Sequence, residues 1–378
     1  MSAKRTYLDH NASTPLRPQA REAMLAALDL TGNPSSVHAE GRAVRGIVET
    51  AREQVARLVN AKPSEVVFTS GATEANNWVL AAGWETIFVS GIEHDSVLAP
   101  VNASRAHIAS LPAGTDGVVP VDGIAAALGA AAGDAAGKRR LLTLMLANNE
   151  TGVIQPAAEA IALAREHGAA VHIDAVQAPG RIPVDFAGLG ADTLTISGHK
   201  MGGPRGVGAL IIRDGYALAS FIKGGGQERR RRGGTENVAG IAGFGAAAAA
   251  VAAEQGAAER MTSLRAALEA GVKQITPAAL IVGAEAPRVA NTSCIALPGK
   301  AADMLVIKLD LEGVAVSAGA ACSSGTVGSS HVLEAMGLKP EITRAAIRVS
   351  LGPQTQDADI AAFLAAWEKV AGSAAIAA

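Results

Sequence analysis

The sequence predicts an α/β protein with two parts: a large domain built on a mainly parallel, seven-stranded sheet flanked by helices, and a smaller α+β domain. Three observations lead there. Seven short apolar runs alternate with stretches that carry apolar residues at helical spacing, from about Ala20 to Ala250. Beyond that point the regular alternation stops. The length, 378 residues, is room for about two domains. Residues 14–250 are assigned to the large domain, and residues 1–13 with 251–378 to the small one.

Each element has its reason in turn. Thr6–Leu8 reads as a short strand with no partner nearby, which places the first residues with the small domain. Val66–Thr69, Thr86–Ser90, His107–Leu111, Leu141–Ala147, Val171–Ala175, Thr193–Ser197 and Gly208–Ile212 are the apolar runs read as strands. Pro156–His167 typifies the helical stretches between them. Right-handed crossovers then bring strand ends and their loops to one rim. Gly129–Gly137, rich in alanine and glycine, reads as a solvated connection. One long helical stretch is expected from about Val238 to Ile275. It is followed by Val289–Leu297, a helix near Ala301–Leu311, a loop over Ser317–Ser330, and helices near Val332–Met336 and Asp357–Val370.

Composition narrows the function. Hydrophobic residues make up 49% of the chain, enough for a sizeable core, and the formal net charge of −2 gives no reason to expect nucleic acid or an anionic membrane. Only 2 cysteines occur, Cys294 and Cys322, so a disulfide scaffold is excluded and a reducing cytoplasm is the expected setting. The start, MSAKRTYLDHNASTP, lacks the apolar segment of a secretory signal. Ala239–Ala253 is alanine and glycine rather than leucine, which suits a buried helix better than a membrane span. Arg229–Arg232 is a single basic cluster in a near-neutral chain, read as interface pairing or a solvated loop. No metal site is expected.

Three stretches carry chemistry. After the strand ending at Thr69, Ser70-Gly71-Ala72-Thr73 opens a helix from about Glu74. Small residues there let backbone N–H groups and the helix dipole meet a phosphate, although an ordinary capped helix start has the same look. Asp174 closes a strongly apolar strand, with Gln177 three residues on. A charge there is costly unless paired, so it either caps a helix or pairs with a cationic ring nitrogen. Lys200, in TISGHKMGGPRGVGAL, ends another apolar strand among glycines that would leave room for something flat and large. A desolvated amine attacks carbonyl compounds. A phosphate seat, a strand-end acid and a strand-end amine on one rim suit pyridoxal 5′-phosphate, which needs all three.

The stretches SGATEANN, NNETGV, HIDAVQAPG, SGHKMGGPRGVGAL and GGGQERRRRGGTEN resemble, in order, those of the cysteine desulfurases of the NifS/IscS type, in class V of the fold-type-I pyridoxal-phosphate enzymes. YLDHNASTP, NPSSVHAEGR, SAGAACSSG and IRVSLG extend the likeness over nearly the whole chain. The resemblance implies a role for each matching position. Lys200 would bind the cofactor aldehyde. His94 would stack on the pyridine ring and shuttle protons. Asp174 would hold the ring nitrogen protonated, and Gln177 would bond the phenolic oxygen, with Asn149 nearby. Ala72, Thr73, Ser197 and His199 would hold the phosphate. Thr235 would reach the phosphate of a neighbouring subunit, so the site would depend on a homodimer. Arg348, whose planar fork makes paired hydrogen bonds, would clamp the substrate carboxylate, with Asn149 and Asn33 close by.

The reaction turns on the second functional group. Cys322 lies among glycine, alanine and serine, as a thiol on a mobile, exposed loop would, whereas Cys294 in NTSCIALP reads as core packing. The resemblance implies removal of sulfur from L-cysteine, giving L-alanine and a persulfide on Cys322. That sulfur would pass to an iron–sulfur scaffold or another acceptor protein. The alternatives are a selenocysteine lyase or another class V aminotransferase on the same scaffold, and a non-enzymatic descendant.

Overall fold

The structure is a computed structural model and describes residues 5–131, 139–319 and 329–372. Its strands in chain order are β1 (Thr6–Tyr7), β2 (Val66–Thr69), β3 (Thr86–Ser90), β4 (His107–Leu111), β5 (Arg140–Met145), β6 (Ala170–Asp174), β7 (Thr193–Ser197), β8 (Gly208–Ile212), β9 (Leu280–Val282), β10 (Thr292–Ala296), β11 (Val314–Ala315), β12 (Ser317–Ala318) and β13 (Ala346–Ser350). Among the described residues, β2 to β8 form one seven-stranded sheet in the order β2-β8-β7-β6-β5-β3-β4. β8 runs antiparallel to β2 and β7, and the remaining pairs are parallel. All seven predicted runs are strands. Residues of β2, β3, β5, β7 and β8 are buried along their whole length, as continuous apolar runs covered on both faces should be. β4, on the sheet edge, is mostly exposed.

The stretch expected as one helix from Val238 to Ile275 is two helices, Val238–Ala253 and Ala257–Ile275, bent by 78°. Glu254 turns extended and Gly256 takes the left-handed conformation at φ 70, which ends the first helix. The halves serve different cores. Val238–Ala253 packs on Ala39–Leu58 at close range: a Cβ on Gly245 would lie 2.5 Å from the Ala51 Cα. Ala257–Ile275 instead turns Met261, Leu264, Leu268 and Val272 into a second cluster with Leu305, Ile347, Phe363 and Trp367. Among the described residues no single helix is long and apolar enough to cross a membrane, and these two meet that length and apolarity only together, as a bent pair.

The second cluster is backed by an antiparallel sheet, β12-β13-β10-β9. β1 finds its partner in β11, parallel, and Leu8 enters this cluster. Asp9 continues the contact through a bridge to Ser350. Leu8, Asp9 and His10 are thereby laid beside β13, which matters for the site. The expected loop over Ser317–Ser330 begins instead as strand β12 on β13. Val282, Cys294 and Ala346 pack into the cluster around the large sheet, so the two cores meet.

Candidate active site

Parallel pairing puts the carboxyl ends of β3, β5, β6 and β7 on one rim of the sheet; β8, antiparallel to β7, starts there, and β2, antiparallel to β8, ends there. Side chains just past those ends line a cavity of about 460 Å³. Ala72 and Thr73 follow β2, His94 follows β3, Asn149 follows β5, and Asp174 and Gln177 come from the end of β6. Ser197, His199 and Lys200 follow from β7, and Arg348 enters from β13 with Asn11 and Ala12. Ligands of open α/β sheets bind at this rim. Of the other predicted site residues, Asn33 and Thr235 are exposed and do not line the cavity in the single chain. Cys322 lies outside the described residues.

Lys200 sits on a 3₁₀ turn, Gly198–Lys200, directly after β7, and its Nζ donates to the carbonyl oxygens of Asn11 at 2.5 Å and Ala12 at 3.2 Å. The neighbouring glycines act differently from expectation. A Cβ on Gly203 would stand 2.9 Å from the Gly198 carbonyl oxygen, and one on Gly208 2.8 Å from that of Ile196 and 2.9 Å from the Gly71 backbone. Those two permit tight backbone packing rather than open space. Room is left at Gly71 and Gly206, cavity residues where a Cβ would meet nothing within 4 Å. The helix after β2 starts at Ala72, two residues earlier than read from sequence, and has no side-chain cap, so its first N–H groups are left for a ligand.

Asp174 is buried and held on both oxygens: Oδ1 accepts from the Val176 N–H at 3.0 Å and Oδ2 from Asn76 Nδ2 at 2.7 Å. Asn76 also contacts Ser96 Oγ at 2.9 Å and His172 Nε2 at 3.0 Å. Ser96 in turn meets His94 Nδ1, by its backbone N–H at 3.0 Å and its hydroxyl at 2.9 Å. Burial holds His94 below the ordinary imidazole range, helped by Lys200 and opposed by Asp174. Burial also lowers His172 to about 3, and burial with Lys200 and Arg205 lowers His199 to about 4. Asn76, Ser96 and His172 were missed in the sequence. A signal existed for one of them: His172 is two residues before Asp174 on a strand, so both side chains leave the same face.

Arg348 is already engaged by the protein. It is buried, its Nη2 donates to Asp9 Oδ1 at 2.8 Å, its Nη1 to the Asn149 carbonyl oxygen at 3.1 Å, and its Nε is buried without a partner. Gln177 is engaged as well, with Arg181 donating to its Oε1 and its Nε2 donating to the Asn11 carbonyl oxygen at 3.2 Å. Three arginines of the run are tied down within the chain. Arg229 donates to the Pro63 carbonyl and Glu49, Arg231 to the Ser64 carbonyl, and Arg232 to Glu74. Cys294 is buried as expected, and burial next to Glu150 pushes its thiol well above the usual range.

A family model for the class-V aminotransferases matches residues 6–363. The chain belongs to that family. It is 39% identical over 374 residues to the "IscS-like cysteine desulfurase" of Mycobacterium tuberculosis, covering 95% of this chain and 94% of that one. The solved NifS-like protein of Rickettsia africae superposes with a TM-score of 0.88 at 35% identity, covering 97% of this chain and 99% of the other. A structure titled "SspA in complex with cysteine" superposes with a TM-score of 0.79 at 28% identity, covering 93% and 100%. The fold is thus that of the fold-type-I pyridoxal-phosphate enzymes, and class-V members depend on that cofactor. The residues present fit it. An amine for the aldehyde, a buried carboxylate for the ring nitrogen and an uncapped helix start for the phosphate share one cavity, where the buried Oδ1 of Asn149 has no partner.

Proposed function

We propose that this class-V family member is a cysteine desulfurase acting on L-cysteine with pyridoxal 5′-phosphate. The observation that carries the reading is the convergence of Lys200, Asp174, His94 and Arg348 on one cavity, in a chain whose full-length relatives bear that name. Lys200 holds the aldehyde, Asp174 the ring nitrogen, and Ala72, Thr73, Ser197 and His199 the phosphate. When bound, the cofactor supplies an electron sink for the substrate α-carbon. Arg348 binds the substrate carboxylate through N–H groups not spent on Asp9 and Asn149. Lys200 takes the α-proton, and His94 serves proton transfer beside the ring.

Cys322 receives the sulfur. Its thiolate attacks the sulfur of L-cysteine; an S–S bond forms as the C–S bond breaks, and the electron pair left on carbon is protonated. One cysteine and one enzyme thiol become one alanine and one persulfide, balanced without an outside oxidant. An acceptor protein, such as an iron–sulfur scaffold, takes the sulfur onward in the cytoplasm.

A homodimer completes the site. Thr235 and Asn33, exposed in the single chain, reach the other chain's cavity, and Leu25, Leu28, Leu30 and Val37, exposed and near Asn33 in the sequence, supply apolar surface for pairing. The test is incubation with L-cysteine, measuring alanine released and mass gained on the Cys322 peptide. One sulfur on Cys322 per alanine in a single turnover, and neither product from Cys322→Ser, are expected. Stoichiometric alanine from Cys322→Ser, or sulfur on another residue, contradicts the reading.

A further inference from the structure

One buried amide joins Asp174 to His94. Asn76 is fully buried and does not line the cavity. Two groups along its chain of contacts have no choice of role: an ionised carboxylate only accepts, and a backbone N–H only donates. Turning the Asn76 amide over would set its oxygen against the Asp174 carboxylate at 2.7 Å, so the NH₂ must face Asp174. Oδ1 then faces His172 Nε2 at 3.0 Å and accepts, which puts the His172 proton on Nε2. The bare Nδ1 of His172 accepts from Thr193 Oγ1 at 2.9 Å.

The second N–H of the Asn76 amide goes the other way, to Ser96 Oγ at 2.9 Å. With an acceptor position filled, the Ser96 hydroxyl donates its own proton to His94 Nδ1 at 2.9 Å, where the Ser96 backbone N–H also donates, at 3.0 Å. Nδ1 of His94 is therefore bare, and the neutral ring carries its proton on Nε2. A flipped ring would lose both bonds.

We infer that Asn76 is a positioning residue that orients Asp174 and, through Ser96, fixes His94 as a proton donor at Nε2. The inference rests on the reading that places Asp174 and His94 at the cofactor. It divides the proton work: Lys200 removes protons from the substrate, and His94 begins with one to give.

The test is nitrogen NMR on the holoenzyme labelled with ¹⁵N-histidine, which distinguishes the two ring nitrogens; His94→Gln assigns the signal. The wild type should show the proton on Nε2 in both His94 and His172. Asn76→Leu should release His172 from a single tautomer and shift the His94 signals. It should also lower kcat for alanine formation about 10- to 100-fold, the usual scale for losing an outer-shell partner, with KM for cysteine nearly unchanged. His172→Gln, whose amide can still donate to Asn76, should retain the His94 signals, and His172→Phe should not. A wild-type His94 protonated on Nδ1, or His94 signals unmoved by Asn76→Leu, overturns the inference. Should Asn76→Leu fail to fold, Ser96→Ala cuts the same relay by one hydroxyl, and unmoved His94 signals there overturn it equally. A holoenzyme with both predicted tautomers that makes no alanine from cysteine would defeat the functional reading and leave this one standing.

Discussion

Arg348 illustrates how one side chain takes its meaning from a distant one. Its partner Asp9 is 339 positions away and is brought alongside by the pairing of β1 with β11 and the Asp9–Ser350 bridge. A planar guanidinium can serve Asp9, the Asn149 carbonyl and a substrate carboxylate at once; an ammonium is a point charge with three donors. Arg348→Lys is expected to raise KM for L-cysteine about tenfold or more, the equivalent of one charge-assisted hydrogen bond, and an unchanged KM would place the carboxylate elsewhere. Cys294 gives a second test at this scale. Burial keeps it protonated, so it should resist iodoacetamide in the native protein and react once urea unfolds the chain. Rapid alkylation of native Cys294 would contradict its packing. Lys200, Asp174 and His94 were legible because each stands in a motif at a strand end. The Asp9 pairing was not, since no local pattern records a contact over that separation.

Elements were legible where one physical pattern dominated. The inner sheet strands showed as apolar runs because both faces are covered, and Ala239–Ala253 read as a buried helix because alanine and glycine carry too little transfer energy for a membrane span. The break near Gly256 was hidden by helical spacing on both sides. The loop holding the arginine run has a different control, the buried pair of Glu228 with Arg52, at 2.8 and 2.9 Å, with Glu228 also accepting from the Phe68 N–H at 2.9 Å. Glu228, Arg229 and Arg230 all have positive φ, at 46, 56 and 67, so the ion pair holds the backbone in a region ordinary residues avoid. Glu228→Ala takes from Arg52 its buried bidentate partner, leaving only the more exposed Glu49 at 3.2 Å, and should cost about 3 kcal/mol, read as a lower urea midpoint. A loss below about 1 kcal/mol, the range of an exposed pair, would mean the loop is held by other contacts.

The whole molecule carries opposed titrations in its interior. Burial raises Glu93 to about 8 and Glu150 to about 7, so each favours the fold fully below the ordinary carboxyl value and loses that contribution as pH rises through those values. His172, lowered to about 3, and His10 and His199, to about 4, act oppositely: their contribution is complete above the ordinary imidazole value and disappears as pH falls. Glu93→Gln preserves an acceptor for the Met145 N–H, which Glu93 Oε1 holds at 2.6 Å, and removes the ionisation. Its stability relative to wild type should therefore grow from about pH 5 to about pH 9, measured by denaturant midpoints. A constant difference across that range would show that Glu93 does not titrate there. At this same scale the central claim is that the sheet's rim, closed by Arg348 of β13 with Asn11 and Ala12, is one seat for pyridoxal phosphate with Lys200 as its anchor. Borohydride reduction of the holoenzyme followed by peptide mass mapping tests this most directly. The cofactor mass should appear on the Lys200 peptide alone and be absent in Lys200→Ala; the same mass on a different lysine would contradict the account.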